Sequence, residues 1–102
     1  MGMTLSEFQN FYFNHGQEIE DYVKSYLERP TLKAILSFTP TKKRFIRQIS
    51  TVIGEKLGHK FINSYENFDE FDYLAKDIAN YIRIHYSDNI GDCYDKISQP
   101  ES

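Results

Sequence analysis

Cysteine, glycine and long apolar runs are scarce in this chain, and each scarcity removes a class of function. A single Cys93 in 102 residues cannot close an internal disulfide, which points to a reducing, intracellular and cytoplasmic setting. It also leaves no Cys-x-x-Cys pair for a metal site. The five glycines are scattered, so neither a phosphate-cradling loop nor a dinucleotide fingerprint can be assembled. No stretch approaches the roughly 18 uncharged apolar residues that a bilayer span needs, and no membrane insertion is expected. The stretch Met1 to Asn14 carries Glu7 and no basic region, unlike a secretory leader.

Catalytic and metal-binding signatures are missing as well. His15, His59 and His85 fall in three separate segments with no second ligand at metal spacing, and His-Glu-x-x-His and EF-hand patterns do not occur. His15, on an apolar seam, reads as a half-buried histidine satisfied by a neighbour. No serine sits in a nucleophile elbow. Cys93 lies within Asp92-Cys93-Tyr94-Asp95, where flanking carboxylates raise a thiol's pKa and oppose a reactive thiolate. Asp69, Glu70 and Asp72 crowd the first turn of a helix, where they complement its dipole. The expectation is a non-enzymatic protein without cofactor or metal.

Aromatic residues are plentiful. Eight Phe and eight Tyr make up 16% of the chain, and each ring can bury about 150–250 Å². That offsets a modest hydrophobic fraction of 40% and suffices for one small core, hence one domain. Sixteen rings also exceed what such a core easily hides, so Tyr12, Tyr65, Tyr73 and Tyr94 are expected at the surface, where Tyr is a common interface anchor.

The apolar periodicity is helical throughout. Thr4 and Glu7 form a capping box, after which Leu5, Phe8, Tyr12, His15, Ile19, Tyr22 and Tyr26 recur at alternating spacings of three and four. Phe11, Val23 and Leu27 widen that face. The seam keeps its phase across Gly16, which predicts one continuous helix ending before Arg29-Pro30. A short helical turn over Thr31 to Phe38 follows. The next helix begins at Thr39-Pro40-Thr41, with proline in its first turn. It faces inward through Phe45, Ile46, Ile49, Val52, Ile53 and Leu57, and Gly58 is expected to cap it. Residues 59–66 then form a connection in which Phe61 or Ile62 can pin the loop. A second capping box, Asn67 with Glu70, opens a last helix whose seam is Phe68, Phe71, Ala75, Ile78, Ile82 and Tyr86. The alternation over Ile82 to Tyr86 is the one strand-like stretch, and it also fits a helix end. Asp88-Asn89-Ile90-Gly91 should break this helix. The resulting expectation is an all-α fold, a small helical bundle of three main helices plus one short helix. It forms a single helical domain over residues 1–91 and is followed by a polar, frayed tail over 92–102.

Charge is unevenly spread. Residues 1–32 hold five acids and two bases, residues 33–60 one acid and seven bases, and residues 61–102 nine acids and three bases. The overall net of −3 therefore hides a basic middle. Lys42, Lys43 and Arg44 stand in the first turn of the middle helix, where the dipole disfavours cations, and Arg47 follows one turn after Lys43. Two explanations compete. Either the acids near Asp69 and Asp72 neutralise the patch internally, or it awaits an external anion.

Two short stretches resemble known families. Leu36-Ser37-Phe38-Thr39-Pro40 with Arg47 and Gly58-His59 resembles the start of a small single-stranded nucleic-acid-binding module defined by an arginine followed four residues later by histidine. Here Arg47 is followed by Thr51 and Arg44 by Gln48, so the signature histidine is missing. Ile49 to Ile82 is similar in rhythm to the second half of an acyl-carrier protein, whose Asp-Ser-Leu attachment site is absent. Neither resemblance carries functional residues over. The leading expectation is a small interaction module, a regulator or adaptor that binds a protein partner or itself as a homodimer. The alternative is a nucleic-acid- or other anion-binding domain using Lys42, Lys43, Arg44, Arg47, Lys56 and Lys60.

Overall fold

The computed structural model describes residues 5–61 and 71–98, with the backbone alone at 5, 7, 8 and 71–73. Both capping boxes, the Ile62 and Phe68 positions, Tyr65 and the side chain of Tyr73 lie outside the described residues. Helix α1 spans Leu5–Leu27, a 3-10 helix Pro30–Ser37, α2 Lys42–Phe61 and α3 Phe71–Ser98. The architecture is all-α, and no strand occurs among the described residues. The strand-like Ile82 to Tyr86 lies in the middle of α3.

Helix α1 is continuous. Gly16 keeps a helical backbone with no positive φ, and Phe11, Ile19 and Val23 are fully buried on the face that leads to Tyr26. The helix tightens as it ends, where the Arg29 amide donates to the Tyr26 carbonyl at 3.2 Å. Arg29 is extended at φ −68°, ψ 128°, the conformation a following proline imposes. Leu32 anchors the 3-10 segment in the core. Thr39 closes that segment, its hydroxyl donating to the Ile35 carbonyl at 2.9 Å.

Thr41 caps α2 by accepting from the Arg44 amide at 3.2 Å, so Pro40 lies just outside the helix rather than in its first turn. Two stripes then run along α2. Phe45, Ile49, Ile53, Leu57 and Phe61 make the apolar one, and Ser50, Gly54 and Gly58 make a buried stripe of small residues. Gly58 does not cap the helix. It shares the register of Ser50 and Gly54, is buried, and α2 runs on to Phe61.

Helices α2 and α3 are antiparallel and close. A Cβ at Gly54 would stand 2.6 Å from the Ala75 carbonyl oxygen and 2.9 Å from the Ala79 nitrogen, whereas Lys42 at the other end meets Asp95. Helix α1 lies antiparallel to α2, with Phe11 edge-on to Phe61 at 5.3 Å. It runs parallel to α3, with Tyr12 stacked on Tyr81 at 3.6 Å and the Cys93 thiol reaching the Leu27 carbonyl at 3.6 Å. The bundle is therefore up, down and up.

The end of α3 departs most from expectation. Asp88-Asn89-Ile90-Gly91 does not break it, and the helical domain extends through Ser98 rather than ending at residue 91. Ile90 is fully buried, and Cys93, Tyr94 and Ile97 pack against the core. The cause is a seam that keeps its phase, from Ile82 through Tyr86 to Ile90 and on to Tyr94, beneath a polar outer face. Gly91 is buried here, and a Cβ there would stand 2.8 Å from the flexible end of the Lys42 side chain.

Candidate functional site

The small stripe that lets α2 and α3 approach also leaves a valley on their outer side. Short side chains cannot fill the space between two helix ridges, and Ser50, Ala75 and Ala79 form the floor of a hollow of about 360 Å³. Arg47, Arg83, Lys76, Thr51, Asn80 and Glu55 make its walls. A second hollow of about 460 Å³ adjoins it, lined by Lys42, Lys43 and Ile46 and sharing Arg47 and Arg83. Together they make one groove, mostly apolar below and cationic at the rim.

The six cations expected from sequence do not act as one patch. Lys42 donates to Asp95 at 2.8 Å, and that bond raises its ammonium pKa, helped by the fields of Asp95, Asp92 and Asp88. Lys60 pairs with Glu18 at 3.3 Å. Hydrogen bonds from His15 and then Lys60 hold the Glu18 carboxyl below its ordinary range. Arg44 and Lys56 are exposed and line neither hollow. Of the six, Lys43 and Arg47 line the groove without an ion pair among the described residues. Among the described residues, Lys43, Arg47 and Lys76 have no ion pair, and Arg83 donates to the neutral Asn80 amide oxygen at 2.9 Å.

The backbone at position 72 is not near the first turn of α2. Antiparallel packing sets position 72 beside the far end of α2, on the order of 20 Å from Lys43 at 1.5 Å per residue. The Asp69 residue and the Asp72 side chain lie outside the described residues. Among the described residues, the acids that reach the first turn of α2 come from the last turns of α3, and they engage Lys42.

No protein-family model, curated protein or solved structure matches this chain. Function must therefore be read from the groove's own chemistry. The two hydroxyls in its lining donate to the backbone, Ser50 to the Ile46 carbonyl at 2.7 Å and Thr51 to the Arg47 carbonyl at 2.9 Å. Planar guanidinium groups such as Arg47 and Arg83 are suited to bidentate binding of carboxylate or phosphate. The groove can hold an anion over an apolar floor.

Arg83, Lys76 and the alanines Ala75 and Ala79 were not singled out from sequence. Their signal was present, since Lys76 and Arg83 are seven residues apart and share a helix face. Only the pairing with Gly54 gives that face a meaning.

Other groups are structural. His15 is half-buried, lies 3.2 Å from Glu18 and packs at 4.6 Å on Phe61. Burial, rather than flanking carboxylates, raises the Cys93 thiol. Tyr12 and Tyr94 are half-buried rather than exposed, because each ring packs on a neighbour, Tyr12 on Tyr81 and Tyr94 on Phe45. Among the described residues the exposed large apolar side chains are Phe13 at 90%, Phe38 at 82% and Ile84 at 70%. Among the described residues no cluster of His, Cys, Asp and Glu suits a metal ion, and no helix is long and apolar enough to cross a membrane.

Proposed function

We propose that this chain is a non-enzymatic helical interaction module, a regulator or adaptor that binds a protein partner through the α2/α3 groove. The observation that supports this is the set of cations without an ion pair among the described residues, Lys43, Arg47 and Lys76, around a largely apolar floor. Placing Lys43 in the first turn of α2 is unfavourable for the helix alone, so an external anion supplies the missing reason. Pairing with a second copy through the α1 seam has less support, because Ile19 and Tyr26 of that seam are buried inside the chain. Nucleic acid is also the weaker reading. The net charge of −3 opposes a polyanion, and Asp88 and Asp92 line a hollow beside Lys42.

The test is a photoreactive residue at Asn80, in the groove, and another at Gln17 on the exposed side of α1. In an extract of the source cell, Asn80 should cross-link a protein and Gln17 should not. Arg47→Glu should abolish that product. Cross-linking only to nucleic acid, or equally from both positions, overturns the reading.

A further inference from the structure

The groove's position in the bundle says more about its occupant. Helix α1 fills one valley of the α2/α3 pair, meeting α3 at Tyr81. Ala79 and Arg83 are each two residues from Tyr81, about 200° around the helix, so the groove opens on the opposite side of α3. It occupies the place of the helix that would complete a four-helix bundle. Its α2 wall runs from Lys43 to Glu55, roughly 18 Å at 1.5 Å per residue. That matches about 12–13 residues of an α-helix.

We infer that the groove takes an acidic amphipathic helix from a protein partner, an inference that rests on the interaction reading above. Its apolar stripe lies along the valley over Ile46, Ala79 and Ala75, a helix-in-groove mode read at i, i+4 and i+7 spacing. Its carboxylates face Lys43, Arg47 and Arg83. Charge complementarity also fixes which part of the occupant is acidic. The three cations cluster toward the start of α2, whereas Glu55 stands at the other end beside Lys76. The acids therefore belong on the half over Arg47 and Arg83. A phosphate backbone would use the cations and leave the apolar floor uncovered, so a protein helix fits better than nucleic acid.

Fluorescence anisotropy on the full chain tests this with three labelled probes. One is a helical peptide of about 13 residues with leucines at i, i+4, i+7 and i+11 and glutamates flanking one half. The second is its twin with lysine for glutamate, and the third a single-stranded oligothymidine. The acidic peptide should bind saturably, and the lysine twin and oligothymidine should not. Arg47→Glu with Arg83→Glu should weaken binding at least about tenfold, as should raising the salt. Thr51→Trp, which blocks the valley without changing charge, should weaken it similarly. Unchanged melting curves of these surface variants separate lost binding from lost folding. Failure of the acidic peptide to bind, binding that survives replacement of its leucines by serine, or arginine-dependent binding of oligothymidine alone overturns the inference. If the peptide fails while Asn80 still cross-links a protein, the interaction module stands and the acidic helix falls; if both fail, both fall.

Discussion

Helices α2 and α3 approach closely where Gly54 faces Ala75 and Ala79, whereas α1 meets them through rings, Phe11 on Phe61 and Tyr12 on Tyr81. The two interfaces solve different problems. Small residues bring backbones close enough for main-chain van der Waals contact, and they specify spacing because any added atom has nowhere to go. Rings supply buried area and tolerate a wider, less uniform separation. The close pair consequently leaves an open valley of about 360 Å³ on its far side, whereas on the α1 side Tyr12 and Tyr81 border a separate hollow of about 430 Å³. The feature that holds α2 to α3 also creates the candidate site.

The largest expected effect probes the core common to both interfaces. Ile49→Ala and Ile78→Ala each remove a fully buried side chain and should cost about 2–4 kcal/mol in urea unfolding. Losses under about 0.5 kcal/mol at both, the range of surface changes, would show that these faces are not the core.

Two glycines contrast the close interface with an open helix face. Gly54→Ala should destabilise by about 1–3 kcal/mol, because the new methyl meets Ala75 and Ala79 backbone atoms that cannot rotate away. Gly16→Ala meets nothing within 4 Å and should stabilise by about 0.5–1 kcal/mol. The same sign at both positions would remove the distinction between the interfaces.

The ring-packed side should reveal itself in alkali. Burial raises the Tyr12 hydroxyl above its ordinary value of 10.0, with Tyr81 and Asp77 adding to the effect. The unfolded chain ionises first, so this contribution to stability is complete below about pH 10 and is lost as pH rises further. Thermal melts from neutral to alkaline pH should show Tyr12→Phe losing less stability than the parent. Tyr26 and Tyr86, also raised by burial, keep some loss in place. Identical alkaline profiles would mean that Tyr12 is not desolvated against α3.

The smallest effect belongs to the open valley. Lys43→Gln combined with Arg47→Gln removes two cations that have no ion pair among the described residues. At low salt the melting temperature should stay unchanged or rise slightly, through relief of like-charge repulsion and of the unfavourable dipole contact. A clear drop would show that an internal partner neutralises them.

Much of the fold was legible because helical periodicity is a local property. The continuity of α1 across Gly16 followed from the unbroken phase of its seam, and Ile49, Ile53, Ile78 and Ile82 were placed in the core by spacing alone. The candidate site was only half legible. Lys43 and Arg47 stood out because first-turn cations oppose the helix dipole, but Arg83 and Lys76 looked like ordinary surface charge.

The local signals misled where a glycine or a polar run had two meanings. Gly58 and Gly91 resemble helix stops, yet each is buried within a helix, and a Cβ at Gly91 would stand 2.8 Å from the end of the Lys42 side chain. Whether a glycine ends a helix or admits a neighbour depends on what packs against it, and that neighbour is distant in sequence. Similarly, Asp92 and Asp95 read as a solvated tail until Ile90 and Tyr94 are set against the core and Asp95 against Lys42. Sequence by itself determined that the chain is helical and which faces turn inward, because hydrophobic spacing is written along each segment. Tertiary structure alone decided which end of α3 meets which end of α2. It thereby decided which cations are paired, which stay free, and where the valley opens, because those depend on distances between residues that the chain order does not encode.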